Sequence, residues 1–169
     1  MSFRSEELTD REAIFGVHAA SFPTPAEARL VDALRDADNL TISLVAIEEG
    51  EVAGHVAFSP VTLLDSTAGI GLAPVAVLPA FRRRGVADQL IREGLSICEG
   101  MGFGFVVVLG DPAYYGRFGF VSASRWSLGD EYGGGDAFQA LELRPNSIPP
   151  AGGLVRYAPE FSALDEASE

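Results

Sequence analysis

Between Ile70 and Leu109 the chain changes its hydrophobic period twice in about 40 residues. "IGLAPVAVLP" (70–79) is a β-rich run that leads through "AFRRRG" to Gly85. From there Val86, Leu90, Ile91, Leu95 and Cys98 share one helical face, and Asp88, Arg92, Glu93, Ser96 and Glu99 the other. "GMGFG" ends that helix, and "FVVVL" (105–109) is an apolar run of the length of a buried strand. Strand, helix and strand in so short a space form a βαβ unit, whose two strands lie parallel in one sheet. Whatever fold the chain adopts must be built around that unit.

The flanking segments extend the sheet. "SFRSEEL" reads as a first strand, and "TDRE" (9–12) and "TPAE" (24–27) have the Ser/Thr-x-x-Glu form that starts helices. Ile14 and Val17 follow the first signal, and Leu30, Val31 and Leu34 the second, at helical spacing. "TISLVAIEEGEVAGHVAFSPVTLL" gives two strands around the turn "EEGE". Proline cannot donate to a ladder, so Pro74 predicts a bulge in the third strand. "YYGRFGF" reads as a short helix ended at Gly119, with Asp111 as N-cap and Pro112 first in the helix. "AFQALEL" and "GGLVRYAPEF" are later strands; residues 161–169 read as a frayed acidic tail. With neither repeat nor linker, residues 1–169 read as one α/β domain.

Charge is distributed unevenly. The formal net charge is −12, yet Arg82, Arg83 and Arg84 stand together before Gly85. The first N–H groups of a helix lack internal acceptors, and the helix dipole favours an anion beyond them. Gly85 and Ala87 allow close approach, and arginine forks suit phosphate. The strong negative charge argues against nucleic acid and anionic membrane as partners. No apolar run approaches the ~20 residues of a membrane span, and no secretory signal opens the chain. All 12 basic residues are arginine, which excludes a lysine Schiff base and a P-loop lysine. One cysteine, Cys98, and two histidines, His18 and His55, offer no metal-ligand spacing, so no metal site is expected. A single buried thiol fits a cytoplasmic location.

"RRRGVA" (82–87) resembles the Arg/Gln-x-x-Gly-x-Gly/Ala signature of the GNAT superfamily of acyl-CoA-dependent N-acetyltransferases. "LAPVAVLPAFRRRGVADQLI" is similar to that family's strand, loop and helix. "YYGRFGF" is similar to its aromatic–Tyr–x–x–x–Gly–Phe segment. The resemblance is strongest over residues 52–120. It implies a mixed, mostly antiparallel sheet with helices on both faces and one parallel strand pair that splays open near Val75 and Val107.

The same resemblance implies acetyl-CoA as cosubstrate. Its pyrophosphate would lie on the amides of Arg82, Arg83, Arg84, Gly85, Val86 and Ala87, and its pantetheine arm along Val75, Ala76 and Val77. Tyr115 aligns with the family's general acid; a phenol with a reference pKa of about 10 stays protonated at neutral pH. Tyr114 is then its packing neighbour. A backbone N–H near Val77 would stabilise the oxyanion. No carboxylate lies between Ile70 and Phe81, where many relatives carry a basic glutamate. His55 is the substitute by pKa, with burial in the core as the equal alternative, and Asp65 is a weaker candidate. The implied reaction is acetyl transfer to a primary amine of a small molecule or peptide. The rival reading is a non-catalytic acyl-CoA-binding module. A homodimer, and a lid formed by Trp126–Gly135, stay open.

Overall fold

The computed structural model describes residues 1–64 and 66–167, and the βαβ unit is its hub. Before the hub come β1 (Ser2–Ser5), α1 (Arg11–Ser21), α2 (Ala26–Asp36), β2 (Ile42–Glu48) and β3 (Glu51–Leu63). The hub itself is β4 (Ser66–Val77), α3 (Val86–Gly100) and β5 (Phe105–Leu109). After it come α4 (Pro112–Tyr115), β6 (Val121–Ser122), β7 (Leu128–Asp130), β8 (Phe138–Glu142), β9 (Gly153–Arg156) and α5 (Ser162–Ala167).

The main sheet runs β1-β2-β3-β4-β5-β8-β6. Its neighbours are antiparallel except β4 and β5, as the crossover helix requires. On a side branch β9 pairs antiparallel with β3 and parallel with β7. Glu49 and Gly50, both at positive φ, turn β2 into β3 as a two-residue hairpin of the primed kind.

Strand alternation divides the core into two layers. Leu44, Val56, Phe58 and Leu72 face α3, where Val86, Leu90, Ile91 and Cys98 meet them. Val45 and Ala76 face Ile14, Val17 and Val31 on the first two helices. Farther along that side, Val61, Phe105 and Val107 meet Leu30 and Leu34. Each large side chain buried in this way contributes about 1.5–3 kcal/mol.

Several local expectations change. Thr9 does not start α1: Asp10 accepts from the Glu7 N–H at 2.7 Å and pairs with Arg4 at 2.6 Å, so the first turn closes upstream. Thr24 does accept from the Ala26 N–H at 3.3 Å, but Glu27 does not complete a capping box. The segment Trp126–Gly135, open as a lid, contains β7, and Asp130 there accepts from the Tyr132 and Gly134 amides. Phe161, first in the segment expected to fray, is buried, and Leu164 of α5 packs on the same cluster. No helix among the described residues is long and apolar enough to cross a membrane.

Candidate functional site

The sheet comes apart where β4 bulges. β4 and β5 pair only from Gly69↔Phe105 to Gly71↔Val107, although β4 continues to Val77 and β5 to Leu109. Against β3, the register of β4 steps from Leu72↔Phe58 to Val75↔Val56. Two residues of β4, Ala73 and Pro74, thus oppose one of β3, Ala57, in a bulge, as the proline implied. The bulge re-aims β4 and opens a gap toward β5.

Alternation then fixes what faces the gap. The Leu78 N–H donates to the Ala53 carbonyl at 2.8 Å, so Leu78 and Ala76 turn their backbone groups toward β3. Val75 and Val77 therefore turn theirs toward the gap. The Val77 carbonyl is already engaged, accepting from Arg82 Nε at 3.0 Å and Ser21 Oγ at 3.4 Å.

A cavity of about 540 Å³ begins at these residues and reaches the start of α3. Gly85 is the N-cap of α3, at φ 75°, and no side chain caps the helix. A Cβ on Gly85 would meet no atom within 4 Å, so the glycine faces open space. Arg83, at φ 64°, shares the left-handed turn. Val86 and Ala87 complete the floor. The three arginines are not equivalent. Arg82 locks the strand end, Arg83 lines the cavity, and Arg84 lies over the Phe81 ring at 5.6 Å, outside the lining.

The opposite wall was not foreseen. Tyr114 donates to Asp88 Oδ1 at 2.8 Å, and Arg117 pairs with Asp88 at 3.1 Å while lying 4.5 Å over the Tyr114 ring. All three line the cavity. Tyr114 is therefore more than a packing neighbour, and Asp88 is more than a solvent-facing helix residue. Burial first, and the Asp88 carboxylate second, push the Tyr114 phenol above its ordinary range.

Tyr115 sits behind that wall, its ring edge-on to Tyr114 at 5.0 Å and packed on Phe120. It is 9 % exposed, and burial raises its phenol pKa. Gly110, just past β5, makes room for the ring: a Cβ there would come 2.9 Å from Tyr115 Cδ2. Tyr115 thus packs beside Gly110 at the end of β5, behind Tyr114, and is not part of the cavity lining.

His55 takes the alternative left open for it. Its ring is fully buried, is not part of the cavity lining, and contacts His18 at 2.8 Å and Ser43 at 2.7 Å. Burial, then the charges of His18 and Arg35, hold its pKa well below 6.5. The expectation that it faces the groove is corrected: β3 turns it toward α1, behind Ala76, its partner in register on β4. Asp65 lies outside the described residues. Asp111 caps α4 through the Ala113 N–H at 3.0 Å. Cys98 is buried and its thiol is pushed up to about 12, so it is inert. Among the described residues no His, Cys, Asp and Glu cluster could hold a metal.

Comparison with known proteins bears on the family and the fold. The family model for the acetyltransferase (GNAT) domain matches residues 2–123. N-acetyltransferase YhbS of Escherichia coli K12 is 41% identical over 165 residues, covering 96% of this chain and 99% of the relative. N-acetyltransferase YjhQ of the same strain is 36% identical over 124 residues, covering 70% and 68%. The crystal structure of E. coli YhbS in complex with CoA superposes with a TM-score of 0.90 at 39% identity, over 95% of this chain and 91% of that one. A GNAT acetyltransferase from Brucella melitensis in complex with acetyl-CoA gives 0.81 at 40% identity, over 95% and 97%.

Proposed function

The chain belongs to the GNAT family of acetyltransferases, and on that premise we propose that it moves an acetyl group from acetyl-CoA to the primary amine of a small cationic molecule. The observation that carries the reading is the cavity itself. It joins an uncapped helix start, where a diphosphate would rest, to the stretch of β4 that no longer pairs with β5. Relatives that share the fold over almost their whole length hold CoA and acetyl-CoA.

In this reading the amides of the turn around Gly85, with Val86 and Ala87, hold the pyrophosphate, and Arg83 adds charge. Arg82 acts by fixing the Val77 carbonyl. Val75 offers the pantetheine arm the backbone groups that β5 leaves unpaired. The Val77 N–H is the donor for the developing oxyanion. Tyr115 protonates the leaving thiolate, since its raised pKa keeps the phenol protonated through the neutral range. The net charge of −12 favours a cationic acceptor.

The test is release of free thiol from acetyl-CoA over a panel of amines, with Tyr115→Phe alongside. The variant is expected to lose about 100-fold in kcat, with acetyl-CoA affinity within twofold of wild type. Equal kcat removes Tyr115 from its role. Binding without thiol release on any amine favours the non-catalytic module instead.

A further inference from the structure

One charge around the α3 cavity has the wrong sign for a diphosphate. Asp88 stands in the first turn of α3 and lines the same cavity as Arg83 and Arg117. A carboxylate beside the resting place of an anion repels that anion. The helix dipole favours an acidic residue in a first turn, but the same dipole favours the ligand, so the two bid for one place.

Few cations are free to answer the ligand. Arg82 lines the cavity but is committed to the Val77 carbonyl, and Arg84 lies over Phe81 outside the lining. That leaves Arg83 from the run, whereas a diphosphate is charged on each of its phosphate groups. The remaining cation in the lining is Arg117, and it is already paired with Asp88.

That pair is built to exchange. The hydrogen bonds run from Arg117 Nη1 alone, at 3.1 Å to Asp88 Oδ2 and 3.4 Å to Oδ1. A guanidinium that engages an anion through both arms of its fork holds it more strongly. The side chains are 48% and 32% exposed, so water screens the pair. Beneath the guanidinium lies the Tyr114 ring, 4.5 Å away, which keeps the cation at the cavity wall whichever anion it faces. Asp88 has a second partner of its own, the Tyr114 hydroxyl, which donates to Oδ1 at 2.8 Å. When Arg117 turns away, the carboxylate therefore keeps a donor.

We infer that Asp88 and the incoming diphosphate compete for Arg117, so that Asp88 holds down the affinity for acyl-CoA and for CoA. This rests on the acetyl-transfer reading above. In the free protein Arg117 pairs with Asp88. With a diphosphate on the α3 amides, Arg117 turns its fork to a phosphate and Asp88 falls back on Tyr114. When the spent CoA departs, Asp88 takes Arg117 again. Only ion pairs exchange, and no covalent bond changes. The carboxylate thus speeds the release of a product that carries the same diphosphate as the cosubstrate, and its effect lies chiefly in the dissociation rate.

Calorimetry and stopped-flow release of CoA, on the full chain, test the competition. Asp88→Asn keeps an acceptor for Tyr114 and removes the charge. It is expected to tighten CoA binding at least about threefold and to slow CoA dissociation by a similar factor. Arg117→Ala is expected to weaken CoA binding roughly tenfold. Pantetheine, which has the arm without the diphosphate, is expected to bind the wild type and both variants within twofold in NMR titrations. Unchanged or weaker CoA binding in Asp88→Asn makes Asp88 an anchor for Tyr114 and overturns the competition, while leaving acetyl transfer intact. Unchanged CoA binding in Arg117→Ala overturns it too, as does pantetheine affinity that moves in step with CoA. A wild type that binds no CoA overturns the acetyl-transfer reading, and the competition with it.

Discussion

Replacing Gly85 by alanine separates the cost to the fold from the cost to the site. The residue stands at φ 75°, where an L side chain costs roughly 1–2 kcal/mol. Alanine also restricts the unfolded chain, which returns about 0.4–1 kcal/mol. No clash adds to this, because the new methyl would meet no atom within 4 Å. The net loss is about 1 kcal/mol, or a fall in Tm of roughly 2–4 °C for a chain of this size. The effect on ligand is larger. The methyl occupies the open space in front of the α3 amides and holds a diphosphate away from them. Losing one charge-assisted hydrogen bond costs about 1.5–3 kcal/mol, which is roughly 10- to 100-fold in Kd. Isothermal calorimetry with acetyl-CoA, beside a thermal melt, measures both. A Kd within twofold of wild type, at the expected small change in Tm, refutes the placement of the phosphate at Gly85.

Two further outcomes concern stability. His18 is held near pH 4, below its unfolded value of 6.5, so between these values the unfolded chain binds more protons. Stability is therefore fully present above pH 6.5 and falls by roughly 3 kcal/mol as the pH drops toward 4. His18→Gln should flatten that slope in urea titrations, and an unaltered slope refutes the assignment. Gly94→Ala should destabilise by about 1–2 kcal/mol, because the methyl would sit 2.6 Å from Phe58 Cζ in a fully buried ring contact. An unchanged urea midpoint would mean that α3 can move off the sheet freely.

What the sequence made legible was what short-range chemistry controls. The change of period around Gly85 announced the βαβ unit, and Pro74, unable to donate, announced the bulge that opens the sheet. Asp111 and Pro112 announced the start of α4. What stayed hidden was contact between distant segments. Asp88 meets Tyr114 and Arg117 across separations of 26 and 29 residues, and no local pattern encodes that. Alternation gave His55 a face but not its partner His18, 37 residues away on α1. β7 is three residues long and exists by pairing with β9, so it had no periodicity to display.

The parting of β4 and β5 has a further consequence for solubility. Unpaired strand margins on the outside of a protein invite other chains to stack and aggregate. Here two such margins face each other inside the molecule, beyond Gly71 and Val107. Arg83, Tyr114 and Arg117 line the cavity that adjoins the β4 margin. The protein thereby keeps hydrogen-bonding capacity in reserve for a guest without exposing it to its neighbours in a crowded solution.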